Sequence, residues 1–353
     1  MIVPHYRPSF DQNELRAVQT VIDSKYIAQG NRVRELETQI ARYINKKYCI
    51  AVTSGTTALT MALKSLNVAD GDEVIIPSYT CTALWHAVKA VNGTPVLSDI
   101  EPVFYNMDPE DVKRKITLKT KAIIFPHMFG QPGRIQEVLT FGIPVIEDIA
   151  QSIGASIDGK PVGSYGQLSI VSFYAGKIIG AGEGGAILTN EESRAANIQD
   201  IREYDQKDNL IPRINAKISD LTASVALEQF KKLPEFFNKR RSILNIYKKR
   251  LGQFLDLPVI NSKLPFESNL FRCIATHPDK NAAEVIGIGK KTGITIRRPV
   301  YRPIHKYLNI DKLPETEQAW NRQFSIPLFP DMTKEEINFV FSFLKDIFIN
   351  SYD

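Results

Sequence analysis

The sequence predicts an α/β protein with a mixed, mostly parallel sheet flanked by helices, followed by a smaller α+β domain. Three observations carry this. Between about residues 45 and 190, short β-rich runs alternate with helical stretches. The last two of those runs are joined by a loop with no room for a helix, which predicts an antiparallel element. Beyond about residue 255 the chain turns Pro-rich, with short strands and a final helix. At 353 residues the chain exceeds the usual single-domain size. We therefore expect a large domain over 1–235 and a small one over 236–353, with the N-terminal segment free to pack against the second.

Taken in order, MIVPHYRPSFDQNEL lacks the apolar stretch of a signal peptide, and no run of 18 apolar residues occurs. Neither export nor a membrane span is expected. Strands are predicted at 48–52, 73–76, 95–98, 121–125, 144–147, 168–173 and 185–189, with helices such as 56–66 and 81–91 between them. Near-continuous apolar runs of this kind suit strands covered on both faces. Asn92-Gly93-Thr94 matches a glycosylation sequon, but without export it reads as a turn. After Ile211-Pro212 comes a long helical region over 217–254, interrupted at Pro234. The last helix, 333–348, opens with a capping box formed by Thr333 and Glu336.

Composition narrows the function. The chain is 43% hydrophobic and 24% charged, values of a globular protein, which exclude disorder, a fibre and a membrane protein. A net charge of +5, dispersed along the chain, is too mild for a nucleic-acid reader but suits a small anionic substrate. Three cysteines (Cys49, Cys81, Cys273) without metal spacing support neither a disulfide framework nor a zinc site, and point to a reducing compartment and a cytoplasmic protein.

Four segments bear on chemistry. Thr53-Ser54-Gly55-Thr56-Thr57 lies between a strand and a helix, where free N–H groups and the helix dipole favour a phosphate; an ordinary Ser54 N-cap explains the same residues. Glu147-Asp148 ends a strand at the carboxyl edge, where open α/β sheets bind ligands; a metal ligand, a salt-bridge partner and the counter-ion of a cationic cofactor all fit it. Lys177 follows a core strand and precedes a glycine-rich loop. Partial burial there lowers its pKa and makes it a better amine nucleophile, whereas most lysines simply lie on the surface. Gly180, Gly182 and Gly185 satisfy G-x-G-x-x-G, but the last glycine opens a strand rather than a helix, so a dinucleotide site is rejected. Asn215 and Lys217 stand just ahead of the long helix, a loop and an N-cap when read alone.

Read together, SGTTAL, IPSYTCTALWHAV, PHMFGQP, EDIAQSIGA, SFYAGKIIGAGEGG, INAKISDLTASVALEQ, PVYRPIH and SIPLFPDMTKEEI resemble the ordered motif series of the DegT/DnrJ/StrS family. These are pyridoxal 5'-phosphate (PLP) sugar aminotransferases with the aspartate-aminotransferase architecture, fold type I. The resemblance runs from about Arg7 to the C-terminal helix.

It implies that Lys177 joins the cofactor covalently and later shuttles the proton, and that Asp148 pairs with the pyridine nitrogen. A carboxylate keeps that nitrogen protonated, and the resulting pyridinium is the electron sink. By the same resemblance Gln151 sits beside the ring oxygen, Gly55, Thr56, Thr57 and Ser172 hold the phosphate, and Asn215 reaches the cofactor of a second subunit in a homodimer. Cys81 stands where relatives stack an aromatic on the ring, and Trp85, four residues on, reads as core packing. Lys217 stands where relatives commonly have arginine. Members that dehydrate have histidine in place of the lysine, so Lys177 argues against that branch. The implied activity is transfer of an amino group from glutamate or glutamine to a keto carbon of a nucleotide-linked sugar, in amino-sugar, polysaccharide or glycoside biosynthesis. Arg213, Lys217 and the pair Arg297-Arg298 are candidates for the diphosphate, although a solvated surface accounts for each equally well. A PLP lyase or dehydratase on the same fold, a ligand-sensing relative without turnover, and an α/β protein without the cofactor are the competing readings.

Overall fold

A computed structural model of the chain describes residues 1–251, 265–310 and 313–348. Seven strands form the main sheet: β1 (Tyr48–Val52), β2 (Glu73–Pro77), β3 (Thr94–Ser98), β4 (Thr120–Pro126), β5 (Val145–Asp148), β6 (Leu168–Ser172) and β7 (Gly185–Thr189). Their order is β1-β7-β6-β5-β4-β2-β3. Only β7 runs against its neighbours, pairing antiparallel with both β1 and β6. The short loop between β6 and β7 dictates this, because a parallel return needs a crossover helix.

Side chains alternate across the sheet. Ile50, Val74, Ile76, Ile124, Ile146, Ile170 and Ile187 face helix α3 (Gly55–Ser65) and helix α4 (Ala83–Ala90). On the other face Ile75, Ile123, Val145, Val171 and Leu188 share a core with Leu36, Ile40 and Ile44 of a helix over Asn31–Ile44. That helix, α2, and the one before it, α1 (Gln12–Ser24), were not read from the sequence, although the spacing of Val33, Leu36, Ile40 and Ile44 is helical.

The long helical region is two helices, Asp220–Lys231 and Leu233–Leu251, with Lys232 between them. The break precedes Pro234 rather than falling on it. Proline then sits in the first turn of the second helix, where its missing N–H costs nothing. The boundary drawn at 235/236 falls inside that helix. A third core gathers Tyr247, Cys273, Val285, Phe324, Phe329 and Leu344, and Val3 from the N-terminus joins it through a bridge to Ile294. The terminal helix, Lys334–Phe348, has the expected capping box: Thr333 N–H donates to Glu336 at 2.9 Å and Glu336 N–H to Thr333 Oγ1 at 3.1 Å. No described helix is long and apolar enough to cross a membrane.

Candidate active site

The carboxyl ends of β4, β5 and β6 converge with the turn after β1 on a cleft of about 270 Å³. Gly55, Thr56, Thr80, Cys81, His127, Asp148, Gln151, Ser172 and Lys177 line it. This is the edge at which parallel strands leave a crevice.

One end of the cleft is an anion cradle. Ser54 caps α3, its Oγ accepting from Thr57 N–H at 3.0 Å. Thr57 is thereby engaged in the cap and its hydroxyl lies 2.9 Å from Ser54 Oγ, while the amides of Gly55 and Thr56, at the first two positions of α3, have no intrahelical acceptor. Backbone closes tightly here: a Cβ on Gly55 would lie 2.9 Å from that of Ser172, and one on Gly185 would lie 2.7 Å from the Gly55 nitrogen. Free amides, two hydroxyls and a helix N-terminus in one concavity suit a phosphate.

The other end carries two opposite charges that do not meet. Asp148 is 8% exposed, and Ala150 N–H donates to its Oδ1 at 2.9 Å. Burial pushes its carboxyl up, opposed by that hydrogen bond and by the positive Lys177. Lys177 is half-buried as a residue, but its amine lies deep in the protein mass, facing the Phe271 ring at 5.6 Å. Burial lowers its pKa, partly offset by Cys81 and Asp148. The loop carrying it is pinned twice: Tyr6 donates to the Ala175 carbonyl at 2.6 Å, and Ala175 N–H to the Gly182 carbonyl at 2.8 Å. Lys177 and Asp148 line one cleft yet form no ion pair with each other.

Glu147 points to the opposite face from Asp148, as successive strand residues must. It is fully buried and accepts N–H bonds from Gly163, Tyr165 and Gly166, each at 2.6 Å. His127 completes the set: Gly133 N–H donates to its Nδ1 at 3.0 Å, so the proton is assigned to Nε2, 3.1 Å from Glu147 Oε2. This cage clamps β5 and thus the aim of Asp148. Glu147→Gln sets an amide NH₂ against buried donors and is expected to cost roughly 2 to 4 kcal/mol. An unchanged urea midpoint would contradict that role.

A profile of the DegT/DnrJ/EryC1/StrS aminotransferase family matches residues 8–345, which is nearly the whole chain. The chain belongs to this family. Among aminotransferase-family relatives, a GDP-perosamine synthase from Escherichia coli O157:H7 is 30% identical over 356 residues, covering 96% of each chain. An aminotransferase from Psychrobacter cryohalolentis superposes with a TM-score of 0.91 at 25% identity, covering 100% of both chains. A proposed sugar aminotransferase from Streptococcus pneumoniae, Spr1654, gives 0.93 at 24% identity, covering 100% of this chain and 99% of that one.

Of the residues singled out from this aminotransferase's sequence, Gly55, Thr56, Cys81, Asp148, Gln151, Ser172 and Lys177 come together in the cleft. Gln151 accepts from Phe129 N–H at 2.9 Å through Oε1, which leaves its Nε2 donor for the cleft. The others lie elsewhere in the same chain. Asn215 is exposed. Arg213 pairs with Asp200 at 3.0 Å, and Lys217 with Asp205 at 3.2 Å and Glu203 at 3.6 Å. Arg298 stacks on Trp320 at 4.1 Å and donates to the Trp320 carbonyl, in a separate groove. Trp85 packs against the core, as the large apolar area of its ring suggested.

The residues present fit pyridoxal phosphate. A buried carboxylate and a buried amine share a cleft without pairing, and an anion cradle closes one end. Two features went unread in the sequence. His127 lies in the quoted segment PHMFGQP without having been given a role, and Arg272, beside Lys177, sits in a stretch that reads only as an apolar strand.

Proposed function

We propose that this chain is a cytoplasmic, homodimeric PLP aminotransferase that moves an amino group from glutamate or glutamine to a keto carbon of a nucleotide-linked sugar. The observation that carries the reading is the unpaired Asp148 and Lys177 in one cleft with the cradle at Gly55, Thr56 and Ser172. Spr1654 is known in PLP- and PMP-forms, and the relative at 30% identity is a GDP-perosamine synthase, which supports both the cofactor and a nucleotide-linked substrate. Bound PLP supplies the electron sink for loss of the donor's α-proton. Asp148, kept charged by a cationic partner, holds the pyridine nitrogen protonated. The amine of Lys177, its basicity lowered by burial, holds the cofactor and moves the proton at the donor's α-carbon. Gln151 Nε2 orients the ring by donating to its oxygen, and Ser172 and the α3 amides fix the phosphate.

A second, outer groove of about 1,040 Å³ supports the sugar-nucleotide half of the reading. Arg297, Arg298, Arg302 and Lys306 line it beside Trp320 and Tyr301, the latter an 86% exposed residue. Cations among aromatic faces suit a diphosphate and a base. Asn215, which is exposed, and the half-buried Lys217 lie outside their own cleft and are read as serving the neighbouring subunit, with 1–235 and 236–353 as the two domains of each subunit. The test is incubation with L-glutamate and nucleotide-linked keto-sugars, GDP-linked ones first, with products read by mass. Exchange of the keto oxygen for an amino group, only when glutamate is present, is expected. Product formed without an amino donor would contradict the reading in favour of a dehydratase.

A further inference from the structure

Much of the outer groove is built on two helices, Ile304–Leu308 and Pro314–Arg322, and on the turn before the first. Its residues are tied to one another. Arg298 and Lys306 lie over the Trp320 ring at 4.1 and 4.5 Å, Trp320 Nε1 donates to the Tyr301 carbonyl at 3.1 Å, and Lys306 pairs with Glu317 at 2.7 Å. This unit is docked on the main sheet at the ends of β2 and β3. Asp99, just after β3, holds the start of the second helix, accepting from Thr316 N–H at 2.9 Å and from its hydroxyl at 2.7 Å. Ser78, just after β2, grips the first. Its carbonyl accepts from Ile304 N–H at 3.0 Å, its Oγ accepts from His305 N–H at 3.1 Å, and the same Oγ lies 2.7 Å from His305 Nδ1. On the far side of the ring His305 Nε2 lies 2.7 Å from Glu317 Oε1. The carboxylate accepts the Nε2 proton, so Nδ1 is assigned as acceptor of the Ser78 hydroxyl.

Ser78, His305 and Glu317 have the composition of a hydrolytic triad but not its use. Ser78 is fully buried, and the ring is reversed, with Nδ1 rather than Nε2 toward the serine. The network instead connects two cavities. Thr80 and Cys81, just beyond Ser78 in the chain, line the cofactor cleft, and the intervening Tyr79 donates to Gln323 Oε1, past the end of the second helix, at 2.8 Å. One strand end therefore holds both groove helices and supplies a wall of the cleft. Groove and cleft are also contiguous, since Arg272, Arg297 and Pro299 line both the groove and the cavity at Lys177. A nucleotide-linked keto-sugar must place its diphosphate in one and its keto carbon in the other, at a separation its own bonds fix. A misplacement of about 1 Å costs up to about 100-fold in rate. Resting on the aminotransferase reading, we propose that His305 is a positioning residue: held between Ser78 and Glu317, it sets the outer groove against the cofactor cleft so that the keto carbon arrives at Lys177.

The test uses the PLP-loaded protein and separates the two half-reactions. Cofactor absorbance follows the first, with L-glutamate, and its return follows the second, with a GDP-linked keto-sugar; GDP binding is measured by calorimetry. Ser78→Ala, and His305→Asn, which reaches Ser78 but not Glu317, are expected to lower kcat/KM for the keto-sugar by about 10- to 100-fold. The glutamate half-reaction and GDP affinity should stay within about threefold of wild type. Glu317→Ala and Glu317→Gln both free Lys306, but only the amide still accepts from His305, so Gln should recover most of the keto-sugar rate that Ala loses. Glu317 is partly exposed, which keeps the test open if a buried variant folds poorly. Unchanged keto-sugar kinetics, or equal rates in the two Glu317 variants, would overturn the proposal. So would an equal loss in both half-reactions, the mark of general disruption, or a parallel loss of GDP binding, which would make the network part of the groove itself. A wild-type protein that aminates no keto-sugar would sink the aminotransferase reading together with this one. A competent wild type with equally competent variants would sink only the positioning role.

Discussion

Lys177→Ala protein is expected to fold, to hold the cofactor without a covalent bond, and to turn over no substrate. The loss should be the largest of any single change. Removing a positioned base alone costs about 10²- to 10⁴-fold, and the covalent attachment goes with it. Folding should survive because among the described residues the Lys177 side chain is in no ion pair, and it faces the Phe271 ring at 5.6 Å. Truncation also relieves a desolvated cation, since burial already lowers the pKa of this amine. The thermal midpoint of the variant should equal or exceed that of wild type. Measurable steady-state transamination in Lys177→Ala would contradict its role; a collapsed midpoint would contradict the folding argument.

The second large effect belongs to Asp148. Asn keeps the volume, and its amide oxygen can still accept from Ala150 N–H, which donates to Asp148 at 2.9 Å in the native protein. What disappears is the charge. With no anion opposite the pyridine nitrogen, removal of the donor's α-proton should slow by about 10²- to 10⁴-fold, read as the rate of the absorbance change on mixing with glutamate. Stability should be little altered, because burial pushes the carboxyl of Asp148 up and works against its charged form. A near-normal half-reaction rate would remove Asp148 from the chemistry.

The sheet was legible because its strands are buried on both faces. Runs such as AIIF and GAILT have no polar face to confuse them, and β1 and β7 match the predicted bounds, 48–52 and 185–189. The antiparallel placing of β7 followed from loop length alone. Lys177 and Asp148 were legible too, since a strand end with an acid and a strand end with a glycine loop are local patterns. The resemblance singles out Asp148 of Glu147-Asp148, and the physical reason appears in the structure, where strand alternation and the three amides that claim Glu147 turn it away from the cleft. Arg272 left no local trace. Its significance lies in the company of His5, Arg297 and Lys177, which are far apart in sequence and share no periodicity. Likewise, nothing in the sequence could show that Arg213 and Lys217 are paired with Asp200 and Asp205 in their own chain.

The account stands most directly on the identity of the lysine that carries the cofactor. Borohydride reduction of the PLP-loaded protein, followed by proteolysis and mass mapping, fixes that bond irreversibly. The prediction is one phosphopyridoxyl group per chain, on the peptide containing Lys177 and absent from Lys177→Ala protein. Modification of another lysine, such as Lys46 or Lys217, with Lys177 unlabelled, would contradict the account.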